Sequence, residues 1–203
     1  MKRVFYAVCV ILLLFLIEQV FQLPYMTKTL IKLPLFTVLP LLGLKTKKVK
    51  PKGVHLHAII VSIGVFMIIC IAYFILSRFI DVSTIQEDFT SRMKITNGQY
   101  IAIGFYTIFV NAFIEELFFR SYLLKPSLKY VIISSALFAI YHIAIFGTWF
   151  TWPIFLLALT GLFVGGLIFS YFTIHYKSFL SAYLIHMAAD AAIVLIGYQM
   201  LVA

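Results

Sequence analysis

The sequence predicts an all-α fold, a polytopic transmembrane helical bundle of about seven membrane helices, and three observations carry that prediction. Of its 203 residues, 64% are hydrophobic and 11% charged, against about 25% charged in a soluble globular domain. Apolar runs of roughly 18 residues or more recur along the chain, each long enough to cross about 30 Å of hydrocarbon as a helix. The runs are continuously apolar, without the in-out alternation of a lipid-facing barrel strand. A multi-pass protein of the cell membrane is expected, with lipid as its main surroundings.

In chain order, the first span covers about Val4 to Leu23. Its start, Met1-Lys2-Arg3 before an apolar stretch, resembles a signal peptide, but no small-residue cleavage pattern precedes Glu18 and Gln19, so it is read as a retained helix. The second span, about Thr29 to Leu44, contains Pro34 and Pro40 and is expected to be short, broken or re-entrant. Lys45 to Lys52 follows, with five lysines in eight residues, a cytoplasmic marker. A third span runs from about Leu56 to Ile80, and the balanced charges of Asp81 to Asn97 read as an external loop. Further spans cover roughly Gly98 to Leu124, Leu128 to Phe146, Trp152 to Phe172 and Phe179 to Leu201.

The net charge of +9 is topogenic in this reading and does not point to nucleic acid, because the basic residues sit mostly between apolar runs. Alternate crossings from an inside N-terminus put Lys2, Arg3, the lysine run, Lys125, Lys129 and Lys177 together on the cytoplasmic side. Lys28 and Lys32 break that pattern. Cys9 and Cys70 lie inside apolar runs and read as small apolar side chains. Gly161, Gly165 and Gly166 offer a small surface for helix packing, and Trp149 and Trp152 an interfacial belt.

Only seven acidic residues exist, and Glu115, Glu116 and Asp190 lie well inside spans, where ionised groups are costly and need partners. Glu116 and Arg120 are four apart in the acid-before-base order that pairs them on one helix face, so Arg120 is expected to hold Glu116 ionised. Glu115 stands about 100° around the same helix and is free for another partner. His186 and Asp190 are also four apart, so the carboxylate is placed to orient the imidazole. Phe138 stands four before His142. At roughly 1.5 Å per residue from the nearest basic loop, Glu115, His142 and His186 lie about 15, 20 and 14 Å deep, in one layer near mid-membrane. Structural pairing within the bundle is the bland alternative for the two glutamates. His55, His57 and His175 lie at span boundaries and are read as interfacial.

Glu115-Glu-Leu-Phe-Phe-Arg120, Phe138-Ala-Ile-Tyr-His142 and His186-Met-Ala-Ala-Asp190 resemble, in order, the EExxxR, FxxxH and HxxxN/D motifs of the CPBP family. That family of intramembrane proteases includes type II CAAX prenyl endopeptidases and bacterial proteins of bacteriocin processing and self-immunity. The resemblance covers about residues 98 to 200. It implies one membrane domain over 1–203 whose catalytic core is 98–201, with Glu115 activating a water, His142 positioning or deprotonating it, and His186 and Asp190 stabilising an oxyanion. Glu116, Arg120 and Phe138 become supporting residues. The family has also been described as metalloproteases, which would make Glu115, His142 and His186 ligands of a divalent ion such as zinc. Asp190 stands where prenyl endopeptidases usually carry Asn, and an ionised aspartate opposes an oxyanion, so both mechanisms stay open.

The expected function is an intramembrane endopeptidase acting on a peptide or lipidated substrate, with a peptide or protein as its partner. The compact length suggests a bacterial, bacteriocin- or peptide-processing member. The alternatives are a non-catalytic bacteriocin self-immunity protein of the same fold and, last, a transporter or proton relay. No inverted repeat supports the transporter reading. Oligomeric state is open.

Overall fold

The computed structural model describes residues 2–43 and 53–201, and the lysine run from Lys45 to Lys52 lies outside the described residues. The described residues form helices and no strand. Six helices are long and apolar enough to cross a membrane: α1 (Lys2–Val20), α4 (Leu56–Phe79), α6 (Gly98–Leu123), α7 (Leu128–Phe146), α8 (Trp152–His175) and α9 (Phe179–Leu201). The remaining expected span is two short helices, α2 (Tyr25–Phe36) and α3 (Val38–Gly43). The break falls at Thr37, whose side chain and amide both bond back to the Leu33 carbonyl. Pro40 has no N–H to continue the α2 ladder and is tolerated in the first turn of α3, where that donor has no helical partner. A short helix α5 (Val82–Glu87) runs into a π turn, Asp88–Arg92, within the expected external loop.

Polarity is inverted relative to a water-soluble protein. Phe5, Leu42, Phe74 and Trp152 are among many large apolar residues facing outward, whereas Lys28, Lys32, Arg92, Glu115, Glu116, Arg120 and His186 are buried. Such a surface is stable in lipid and not in water. The protein is a multi-pass membrane protein.

Cross-helix bonds fix the direction of each helix. Arg3 donates to the Tyr122 carbonyl at the end of α6, and Gln19 to Ala144 near the end of α7. The His55 amide donates to Ser181 at the start of α9, and Tyr100 at the start of α6 donates to Val194 near the end of α9. These contacts put Lys2, Arg3, Lys125, Lys129 and Lys177 at one end of the bundle, in keeping with alternate crossings. α2 and α3 run back along α1, from Lys28 beside Glu18 to the Leu35 carbonyl under the Tyr6 hydroxyl. The two lysines that broke the loop pattern are therefore inside the bundle and paired.

The core forms where α1, α2, α6 and α7 converge, with Phe36 stacked on Phe118 at 4.3 Å and in edge contact with Phe119. Opposite the basic end, a polar cluster ties the first half of the chain to the second. Arg92 grips Asp88 through two nitrogens at 2.6 Å, reaches Glu18 at 3.0 Å and donates to the Ile145 carbonyl. Lys28 also pairs with Glu18. Trp149, read from the sequence as a belt residue, donates its indole N–H to Asp88 at 2.7 Å, while Trp152 is exposed.

The glycines divide differently from the expected packing stripe. A Cβ on Gly166 would stand 2.9 Å from the Cα and Cβ of Ser135, marking the closest approach of α8 to α7, whereas Gly161 has open space around it and Gly165 meets only Phe169 of its own helix. Gly166→Ala is accordingly expected to destabilise the protein by about 1–3 kcal/mol, and Gly161→Ala to leave stability within about 0.5 kcal/mol. Thermal unfolding of the two variants in detergent checks this, and equal effects would contradict it.

Candidate active site

The candidate site is built on the middle of α6. Residues Ala112–Glu116 are an α-helical turn between two π-helical stretches, Tyr106–Asn111 and Leu117–Leu123. A π stretch changes the rotation per residue and often accompanies a functional site. Here the two glutamates diverge: Glu115 turns towards α2, α7 and α9, and Glu116 towards Arg120 and α9. Both are fully buried.

The two oxygens of Glu115 have different surroundings. Oε1 accepts from the Lys32 ammonium at 2.7 Å and from the Asn111 amide at 2.8 Å. Oε2 has no hydrogen-bond partner and lies 3.8 Å from Nε2 of His142 and 3.8 Å from Nε2 of His186. Each imidazole is oriented by its other nitrogen. Nδ1 of His142 donates to the Phe138 carbonyl at 2.8 Å, one turn back on α7. Nδ1 of His186 faces Oε1 of Glu116 at 3.1 Å. Both Nε2 atoms are thereby aimed at Glu115.

The sequence paired His186 with Asp190, and the structure adds a closer partner. Glu116 is at hydrogen-bond distance from Nδ1, whereas Asp190 Oδ1 lies 3.6 Å from Nε2, and Asp190 Oδ2 is buried without a bond. Arg120 brings its Nε to 3.4 Å from Glu116, donates to Ser134 at 3.2 Å and lies over the rings of Phe138 and Phe169. Phe138 contacts both imidazoles edge-on, and Phe169 stacks on His186 at 4.9 Å. All seven residues singled out in the sequence meet in one cluster. The side chains of His142 and Asp190 are 16% and 17% exposed, against 0% for Glu115 and 3% for His186. The least buried edge of the cluster is therefore the His142 and Asp190 side.

Lys32, Asn111 and Tyr141 are additional members that the sequence reading did not assign. Lys32 also donates to the side-chain Oδ1 of Asn111 and to the Tyr141 hydroxyl, the latter at 2.5 Å. The usable signal was Lys32 itself, a cation in an apolar run at the end of the bundle where the charge bias opposes one.

As spaced here, the candidate donors stand wider apart than the ligands of a closed metal shell. Among the described residues, no three His, Cys, Asp or Glu side chains are arranged to hold an ion. The 3.8 Å spacings exceed the roughly 3.3 Å between ligands of a tetrahedral zinc with bonds near 2.05 Å. A cation, Lys32, already occupies the other oxygen of Glu115.

Arg120 is the cation that compensates Glu116 in a fully buried setting. Removing one partner of such a pair leaves an uncompensated charge, so Arg120→Met is expected to cost about 3–5 kcal/mol. A melting temperature in detergent within a degree of the wild type would contradict that role.

Residues 97–192 match the family model of the Rce1-like type II CAAX prenyl endopeptidases. The match takes in Asn111, Glu115, Glu116, Arg120, Phe138, Tyr141, His142 and His186, and also Asp190, but not Lys32. No curated protein and no solved structure matches the chain. Through this segment, a little under half of its length, the chain is similar to the Rce1-like type II CAAX prenyl endopeptidases of the CPBP family.

Proposed function

We propose that the protein is an intramembrane endopeptidase that hydrolyses a peptide bond beside an apolar or lipidated segment of its substrate, with water activated by Glu115. The observation that carries this reading is the unpartnered Oε2 of Glu115, 3.8 Å from the Nε2 of His142. With His142 Nδ1–H donating to Phe138, Nε2 of the neutral ring is an acceptor. Two acceptors bonded to both hydrogens of one water at about 2.8 Å stand roughly 4.4 Å apart, so a small parting of the two side chains admits a water here. A water bound there donates one hydrogen to Oε2 and the other to Nε2, which leaves its lone pair for a carbonyl carbon.

Attack forms the C–O bond as a water proton passes to Glu115, and the carbonyl electrons move onto oxygen. In this proposal, a protonated Nε2 of His186 donates to that oxyanion, with Nδ1 held by Glu116. Collapse breaks the C–N bond, and the proton on Glu115 goes to the departing nitrogen. Asp190, 3.6 Å from the same Nε2, must be protonated or stay turned to His186, since an ionised carboxylate would oppose the oxyanion.

The family's named activity on CAAX prenyl proteins supports a hydrophobic or lipid-modified substrate. A bacteriocin-type peptide precursor is the finer assignment we favour, with a bacterial cell as its setting.

Glu115→Ala and His142→Ala are each expected to lower cleavage by at least about 10²-fold, the usual contribution of a general base, while expression persists. Mass spectrometry of membrane and secreted peptides from wild-type and Glu115→Ala cells should reveal a product missing only in the variant. Wild-type product levels in that variant would refute the assignment. Protection from a peptide toxin that survives the substitution would support the self-immunity reading instead.

A further inference from the structure

We propose that Lys32, from the half of the chain outside the family match, is a positioning residue of this site, clamping Oε1 of Glu115 so that only Oε2 faces the two imidazoles. The proposal rests on the endopeptidase reading and adds to it the group that decides which oxygen of the general base is reactive.

An ammonium has three N–H donors, and the structure gives Lys32 three acceptors: Glu115 Oε1, Asn111 Oδ1 and the Tyr141 hydroxyl. Its Nζ also lies 4.8 Å from the Tyr141 ring centroid and 5.1 Å from that of Phe36. Asn111 completes the clamp by donating to the same Oε1 at 2.8 Å. One oxygen of Glu115 thus accepts two charge-assisted or amide bonds and the other none. A cation that only balanced buried charge would not require this asymmetry. Rotation of the carboxylate, which would turn the occupied oxygen towards the imidazoles, breaks both bonds.

α2 is itself held at the right depth. The Tyr25 amide bonds to the Met93 carbonyl at 3.2 Å, Lys28 pairs with Glu18, and the Leu35 carbonyl accepts from Tyr6. Lys32 lies between these anchors and is buried. The N-terminal half therefore contributes a side chain to the site and does more than surround it.

The test uses the purified full chain in proteoliposomes and a synthetic peptide spanning the cleavage site found in the Glu115→Ala comparison. Lys32→Met should lower kcat by about 10²-fold or more with KM within about threefold. Lys32→Arg keeps the charge but cannot reproduce the three-way contact of a compact ammonium. It should unfold within a few degrees of the wild type and still lose kcat by about tenfold or more, an effect that a purely charge-balancing role would not produce. Thermal unfolding in detergent supplies a readout independent of cleavage: Lys32→Met should be partly rescued by adding Glu115→Gln, which removes the charge left unpaired.

Wild-type kcat in Lys32→Arg overturns the proposal, whatever Lys32→Met does, as does a double variant no more stable than Lys32→Met alone. If Glu115→Ala still cleaves, the endopeptidase mechanism falls, whatever Lys32 does. If Glu115→Ala is inactive and both Lys32 variants cleave normally, only the clamp falls.

Discussion

Glu115 is fully buried near the middle of a helix whose outer surface is apolar, and water is the only solvent that would tolerate its charge unaided. Stripping a carboxylate of water costs several kcal/mol unless a counter-charge and hydrogen bonds replace what was lost. In this protein the replacement is the Lys32 ammonium at 2.7 Å, assisted by Asn111. Much of the architecture follows from that need. The segment carrying Lys32 has to run inside the bundle and not on its lipid face, and its break at Thr37 lets two short helices follow α1 back between α6 and α7.

A second layer of charges does for the end of the bundle what Lys32 does for its middle. Glu18, Lys28, Asp88 and Arg92 join α1, α2 and the loop before α6, and Trp149 ties the start of the α8 side to the same cluster. In surroundings of low dielectric such pairs are stronger than on a water-exposed surface, and each is costly to leave half made. The two layers bind the N-terminal half, which has no family match, to the C-terminal half that carries the motifs. Glu116 and Arg120 form a third pair, whose task is to hold Nδ1 of His186 and pack against Phe138 and Phe169.

Much of this was legible in the sequence, for identifiable reasons. Unbroken apolar length marks a membrane helix directly, so the six spans were readable, and Pro34 and Pro40 announced that the second segment would not be regular. Pairs four apart share a helix face, which made Glu116 with Arg120 readable, and depth from the basic loops brought Glu115, His142 and His186 to one layer. Contacts between distant segments were not legible. Lys32 and Glu115 are separated by 83 positions, and nothing in spacing or periodicity joins them. The same limit hid the Glu116 partner of His186, since the i to i+4 rule offered Asp190 first. It also hid which glycine packs, because Gly161, Gly165 and Gly166 are equivalent until a neighbouring helix is placed beside them.

The central claim is that a carboxylate pinned on one side activates water on the other, and the oxygen of that water can be followed. Single-turnover cleavage in ¹⁸O-labelled water, with enzyme in excess over peptide, should place one ¹⁸O in the new carboxyl group of the product on the first turnover. An unlabelled first-turnover product, with the label found in the Glu115 side chain, would mean attack by the glutamate itself and would contradict the account.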